Sequence, residues 1–493
     1  MSTPSPAPRA GVVVAVLSGA GITASLMQAL IVPLIPELPT LLHTSAANAS
    51  WAITATLLAA AVATPVVGRL GDLYGKRRML LLSLGLLIAG SVVAALADTL
   101  VPMLAGRALQ GASMGIIPLG ISVMRDVLPA ERLGASIALM SASLGIGGAL
   151  GLPAAAAVAQ TADWHVLFWG SAALGALVTV LVVFLVPESE TRVGGRFDVV
   201  GAVGLSAGLV ALLLPVSKGG DWGWGSASTL GLFAASVVLL VLWGVWELRT
   251  PSPLVDLRAT ARRQVLVTNL ATVMVGLAMF AMMLVPVQLL QLPEETGFGL
   301  GLSMVAAGLW LAPTGLVMMF VSPLSARLSA ARGPKVSLLA GTLVMAVGYL
   351  MAFALTGSAW GVLLFTSVVS AGVALAYAAM PALIMGAVPR SETAVANGLN
   401  TLMRSIGTST SSAVVGVVLA HQTTALVTPA GTVTLPSETG FHTTFAFGAG
   451  AALLAALVVL AIPGRGPRTD EASAGPAADR LPAVVADARA SGE

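Results

Sequence analysis

The sequence predicts an all-α polytopic membrane protein with fourteen transmembrane helices, arranged as two six-helix bundles plus two inserted helices. Three observations lead there. The 493 residues are 57% hydrophobic and only 9% charged, with a mean hydropathy of +0.95, a composition that excludes a soluble globular domain. Fourteen apolar runs come close to the roughly 20 residues needed to cross a bilayer. The basic residues collect in every second connection, as they do where loops face the cytoplasm.

In order, the spans run near Gly11 to Pro36, Ser50 to Leu70, Met79 to Ala97, Leu100 to Met124, Leu133 to Gln160 and Trp164 to Val186. Val199 to Val216 and Ser226 to Leu248 follow as the inserted pair, the first of them short and trailed by a loop at 218–225. The second bundle comprises Val265 to Leu292, Leu300 to Leu324, Val336 to Leu355, Ala359 to Val388, Ala394 to Ala420 and Phe441 to Ile462. The expected division is therefore a cytoplasmic tail at 1–10, a bundle at 11–187, the inserted pair with its linkers at 188–262, a bundle at 263–463 and a disordered cytoplasmic tail at 464–493. With both termini in the cytoplasm, nineteen of the 24 Lys and Arg fall on that side, from Arg9 through Arg69, Lys76, Arg77 and Arg78 to Arg468. Only Lys218 falls in an outer loop, while Arg107 and Arg404 lie inside spans.

Several function classes drop out. A net charge of +3 spread over helix ends is no nucleic-acid footprint. There is no cysteine, so disulfides, thiolate metal sites and cysteine nucleophiles are absent. The four histidines, His43, His165, His421 and His442, sit at outer ends without metal-ligand spacing, so neither metal nor cofactor is expected. No Gly-x-x-x-x-Gly-Lys-[Ser/Thr] loop offers a seat for ATP. The expected partners are a small-molecule substrate, protons and the lipid bilayer, with the chain working as a monomer in the inner membrane.

The stretch from Gly68 to Arg78 packs one acid and four bases between two apolar runs, and reads as a glycine-broken turn at the membrane surface. It resembles the connection between helices 2 and 3 of the major facilitator superfamily, Gly-x-Leu-Ala-Asp-x-x-Gly-Arg-Lys. Gly68, Leu70, Asp72, Gly75 and Lys76 fill that pattern, with Gly71 in place of the alanine. Arg107-Ala108-Leu109-Gln110-Gly111 matches the family's helix-4 pattern Arg-x-x-Gln-Gly. Arg196-Phe197-Asp198 before the first inserted helix, Trp222-Gly223-Trp224 before the second, and Arg404-Ser405-Ile406-Gly407 are similar to the fourteen-helix drug:proton antiporter branch. The resemblance implies a major facilitator fold and proton-coupled export by alternating access. Two departures bear on mechanism. The branch's helix-1 Asp is replaced by Met27, and its helix-5 pattern survives in part as Gly147, Gly148, Gly151 and Pro153.

The candidate residues follow from charge and depth. Arg107 lies five residues past Pro102, about 8 Å into the membrane at 1.5 Å per residue. An ionisable group there faces a cavity or the bundle interior, or it reaches outward to the interface. With no acid at the bilayer centre, the expected partner is Glu37 at the outer end of helix 1, with Asp98 second; Glu37, Arg107 and Asp98 are the proton-coupling candidates. Polar and aromatic positions in the spans give the substrate candidates: Ser25 and Gln28, clustered with Ser18, then Gln110, Met114, Gln288, Gln291, Trp310, Tyr377, Met380 and Arg404. The first turns around Asn397 and Asn400 are expected to protrude into water, which leaves Arg404 interfacial or in the cavity. For gating the expectation is Gly68, Asp72, Gly75, Lys76, Arg77, Arg125, Asp126, Gly147, Gly151 and Pro153, with Asp72 capping a neighbouring helix or bridging toward Arg125 and Asp126.

These expectations point to a proton-coupled exporter of amphipathic organic compounds, a drug or secondary metabolite. The alternatives are an uncoupled or dedicated metabolite transporter, and a transporter-like sensor without flux. One proton brings about 2.3 kcal/mol per 100 mV and about 1.4 kcal/mol per pH unit.

Overall fold

The computed structural model describes residues 10–31, 34, 37–189, 194–428 and 431–463. Among them fourteen helices are long and apolar enough to cross a membrane. They are α1 (Ala10–Leu30), α2 (Trp51–Tyr74), α3 (Lys76–Ala95), α4 (Leu100–Val127), α5 (Ala130–Thr161), α6 (His165–Leu185) and α7 (Val199–Trp222). Then come α8 (Ala227–Arg249), α9 (Arg263–Gln291), α10 (Met304–Arg332), α11 (Pro334–Leu355), α12 (Ala359–Met385), α13 (Thr393–His421) and α14 (Glu438–Leu460). A two-stranded antiparallel hairpin, β1 (Thr423–Thr428) and β2 (Gly431–Pro436), joins α13 to α14. The proposed C-terminal tail, the proposed N-terminal tail up to Arg9, Arg192, and Pro36 at the expected end of helix 1 lie outside the described residues, while Ala10 already belongs to α1.

Helices α1 to α6 pack around one set of buried side chains, including Leu17, Leu84, Leu119 and Met140. Helices α9 to α14 pack around another, with Val275, Tyr349, Phe365 and Phe445. Many hydroxyls inside the bundle return to their own helix, as Thr64 does to the Ala60 carbonyl and Thr366 to the Val362 carbonyl, so those donors are not left facing hydrocarbon. The two sets meet along α5 and α10, α2 and α13, α4 and α13, and α5 and α12. Small residues let the α5–α10 seam close: a β-carbon on Gly315 would stand 2.2 Å from the Ala149 Cβ and 2.8 Å from the Gly145 carbonyl.

The sequence places two elements incorrectly. The charged stretch read as a turn from Gly68 is helical as far as Tyr74, and the reversal occurs at Gly75 alone. Its φ of +116° needs no Cβ, and that freedom is why the break is one residue long. The first inserted helix, expected to stop at Val216, runs to Trp222. Lys218 is therefore a buried helix residue rather than a loop cation. Its ammonium binds the Ser50 hydroxyl and the Asp221 carboxylate at 3.1 Å, and lies 5.0 Å from the Trp51 ring centroid, so a charge deep in the helix end is paid in contacts to α2.

The inserted pair sits against the seam between α2 and α13. Leu205, Leu209 and Leu213 of α7 pack with Ala61 of α2 and with Val395, Leu399 and Leu402 of α13. Asp198 caps α7 by accepting from the Gly201 amide at 2.8 Å and also accepts from the Trp246 indole of α8 at 3.0 Å, a local reason for the Arg-Phe-Asp entry. Helix α8 packs on α7 and otherwise presents exposed Val237, Val238, Val241 and Leu242 outward, as a lipid-facing helix does.

The close seam yields a stability prediction. Gly315→Val is expected to cost about 1–3 kcal/mol through overpacking and to lower the melting temperature of the detergent-solubilised protein. Gly148→Val, where an added Cβ meets nothing within 4 Å, serves as the control and should leave it unchanged.

Candidate functional site

Most charged side chains gather at one end of the bundle, here the basic face, and there the two halves are joined by ion–backbone contacts. Asp72, fully buried near the end of α2, accepts from the amides of Ala394 at 3.3 Å and Val395 at 2.9 Å. Those are the first free N–H groups of α13, so the carboxylate satisfies orphan donors at the positive end of a helix. A β-carbon on Gly68 would stand 2.8 Å from the Ala394 carbonyl, so glycine there is what lets α2 come this close. Lys76, also fully buried, binds Asp126 at 2.6 Å and lies 3.8 Å from Asp72. Asp126 also takes the Ser189 hydroxyl.

Arg125 at the end of α4 reaches across in the opposite sense. Its guanidinium donates to the carbonyls of Met385 at 2.7 Å and Val388 at 3.2 Å, and to the Thr393 hydroxyl. Cation meets helix C-terminus and anion meets helix N-terminus, so both contacts run with the helix dipoles. The expected bridge from Asp72 to Arg125 is thus replaced, because each finds backbone groups of the other half. Arg77 stays within its own half, on the Val183 carbonyl. Gly147 and Gly151 also serve the first half, where added β-carbons would strike Ser25 at 2.3 Å and Ala29 at 2.8 Å. Pro153 faces Gly308 of α10, across the halves.

Arg107 is buried and points inward. It donates to Gln110 Oε1 at 2.8 Å and to the carbonyls of Met27 and Ala52, both at 3.4 Å; Gln110 in turn donates to Ser91 at 3.2 Å. The outward reach toward Glu37 is not what the structure has: Glu37 is exposed and forms no ion pair among the described residues. With three oxygen acceptors from α1, α2 and its own helix, the guanidinium is satisfied without a carboxylate. Asp98 lies 3.6 Å from His165, beside Asp163. Hydrogen bonds from the His165 amide and ring hold the Asp163 carboxyl below its ordinary value.

A recess at the meeting of α4, α5, α12 and α13 is lined by Ile117, Ile121, Ser141, Leu144, Tyr377, Met380, Asn397, Asn400, Thr401 and Arg404. Its free volume is about 10 Å³, room for a single water. Arg404 lies over the Tyr377 ring at 4.9 Å. Asn400 donates to Asn269 at 2.9 Å and to Thr272 at 2.8 Å. Asn397 and Asn400 are buried here rather than protruding into water, because α13 begins against α2 and α9. Of the substrate candidates, Tyr377, Met380 and Arg404 line the recess. Ser25 packs on Gly147, Gln110 belongs to the Arg107 network, and Trp310 meets Trp360 edge to face at 4.8 Å. Gln28, Met114, Gln288 and Gln291 are partly buried outside the recess lining. The lining positions missed, Asn397, Asn400 and Thr401, were readable as a polar stripe on one helical face with Arg404.

A closed seam between two six-helix sets, with a polar-floored recess along it, defines a membrane transporter rather than an enzyme. The family comparison agrees: residues 17–412 match the model of the Major Facilitator Superfamily, and the chain belongs to that superfamily. Relatives include Multidrug resistance protein Stp of Mycobacterium tuberculosis, 27% identical over 418 residues, covering 84% of this chain and 77% of that protein. The Probable actinorhodin transporter of Streptomyces coelicolor is 28% identical over 397 residues, 76% of this chain and 67% of that one. Among solved structures, the human organic anion transporter MFSD10 superposes with a TM-score of 0.66 at 16% identity, covering 92% of this chain and all of that one. The proton:xylose symporter XylE gives 0.63 at 14%, covering 92% and 96%. Members of the superfamily bind small molecules, and the number of spans accords with its fourteen-helix drug:proton antiporter branch.

Asp72→Asn removes the charge that caps α13. The closed basic face should lose about 1–2 kcal/mol, a factor of about 5–30 in population. Because the chain has no native cysteine, a Thr401→Cys probe reports this cleanly. Its labelling from the basic face by an impermeant thiol reagent is expected to accelerate by about that factor.

Proposed function

We propose that the protein is a secondary exporter of amphipathic organic compounds, drug or secondary metabolite, that works by alternating access and draws on the proton gradient. The basic face is then the cytoplasmic one. The observation that carries this reading is the recess itself. It lies between the halves, has apolar walls and convergent polar groups, and is too tight for a drug-sized molecule until the halves part. The contacts of Asp72 and Arg125 across the seam must break for that opening, so the residues from Gly68 to Arg77 with Arg125 and Asp126 act as its gate. The names of the relatives support an organic compound as cargo.

In this reading the proton is carried at the outer end, by Glu37 or Asp98. A second reading, export driven by the membrane potential alone, is favoured by one observation: no carboxylate lines the recess. Vesicles containing the full chain separate the two. Proton antiport predicts that collapsing the pH gradient at constant potential stops accumulation, and that Glu37→Gln removes the dependence on that gradient. If Glu37→Gln keeps its full pH-gradient dependence, Glu37 is not the coupling acid.

A further inference from the structure

We infer that the recess takes an organic anion, an amphipathic compound whose carboxylate is held by Arg404 and whose hydroxyl is received by Asn397. This deepens the exporter reading and rests on it. Three features of the recess carry it.

The first is an unmatched charge. Arg404 is only partly buried, lines the recess, and among the described residues makes no hydrogen bond or ion pair; its one partner is the Tyr377 ring. Arg107 shows how this protein treats an arginine with no substrate to meet, surrounding it with three oxygens of its own. A guanidinium held over an aromatic face keeps its N–H donors available, and two of them can meet a carboxylate in parallel. The ring contact therefore leaves Arg404 able to meet an anion rather than neutralising it.

The second is the absence of competing acid. The recess lining contains no Asp or Glu. Asp72, a buried acid at the seam, is committed to the amides of Ala394 and Val395 and lies 3.8 Å from Lys76. A lipophilic cation entering here would find a guanidinium and no counter-charge, whereas an anion would complete a pair in a low-dielectric site.

The third is a buried acceptor without a donor. Asn397 is 3% exposed, its amide nitrogen donates to the Thr393 carbonyl at 3.0 Å, and its Oδ1 has no partner. Asn400 has both amide hydrogens committed to Asn269 and Thr272. An unpaired oxygen on Asn397, about two helical turns from Arg404, calls for a donor on the ligand, and a hydroxyl supplies it. The apolar remainder of the lining, Ile117, Ile121, Leu144 and Met380, offers contact to the apolar body of the ligand once the halves part.

The experiment uses one apolar body with three charges: pyrenebutyrate, pyrenebutanol and pyrenebutyl-trimethylammonium, in proteoliposomes of the full chain. Wild type should move pyrenebutyrate in preference to the ammonium compound. Arg404→Gln should lower the ratio of carboxylate to alcohol flux about 10- to 100-fold, the range for losing hydrogen bonds to a charged group. Arg404→Lys, which keeps the charge and loses the planar fork, should recover part of that ratio. Transport of the ammonium compound alone, unaltered in Arg404→Gln, overturns the anion site and leaves the exporter reading standing. An equal fall for carboxylate and alcohol in Arg404→Gln, with unchanged melting temperature, also overturns it, since the residue then supports the cavity without selecting charge. No flux of any of the three compounds overturns both.

Discussion

A charge carried into the bundle must be satisfied by the protein, because hydrocarbon offers nothing. Most of what distinguishes this chain follows from how four such charges are met. Asp72 and Arg125 are met by helix ends of the opposite half, Lys76 by Asp126, and Arg107 by two carbonyls and an amide. These solutions differ in what they tie together. Arg107 ties α4 to α1 and α2 within one half, and so stiffens a unit that moves as a body. Asp72 and Arg125 tie one half to the other, and so define which conformer is present.

The two cross-seam contacts are reversible by design of their chemistry. A carboxylate at a helix N-terminus and a guanidinium at a C-terminus satisfy backbone groups that water satisfies equally well once the seam opens. Breaking them therefore exchanges partners and does not strand buried charge. Glycines at the crossing of α2 and α13 bring the backbones into contact, so the closed state is held by packing as well as by charge. The α5–α10 seam uses the same small-residue logic without charge.

The number and order of helices were legible in the sequence because hydrophobic length and the sorting of Lys and Arg are additive along the chain. The breakpoints were less so. Asp72 and Lys76 looked like surface residues of a turn because they are charged, yet both are fully buried, and that burial depends on Val395 and Asp126, distant in sequence. Lys218 failed for the same reason, its partners lying on α2. At the site, Arg107 and Arg404 stood out by being charged within spans, but nothing local separates the one that folds into a polar network from the one that faces the recess. Asn397 and Asn400 read as wet because two asparagines near a helix start ordinarily are.

The inserted α7–α8 pair touches both bodies that must part. Its aliphatic face contacts α2 and α13 together, and Lys218 fastens its far end to α2. When those two helices separate at the basic face, the pair cannot keep both contacts, and apolar surface on α13 or α7 is laid open to lipid. The extra helices therefore act as a strap across a hinge. They add to the work of opening, and they shield one flank of the seam from the bilayer for as long as it stays shut.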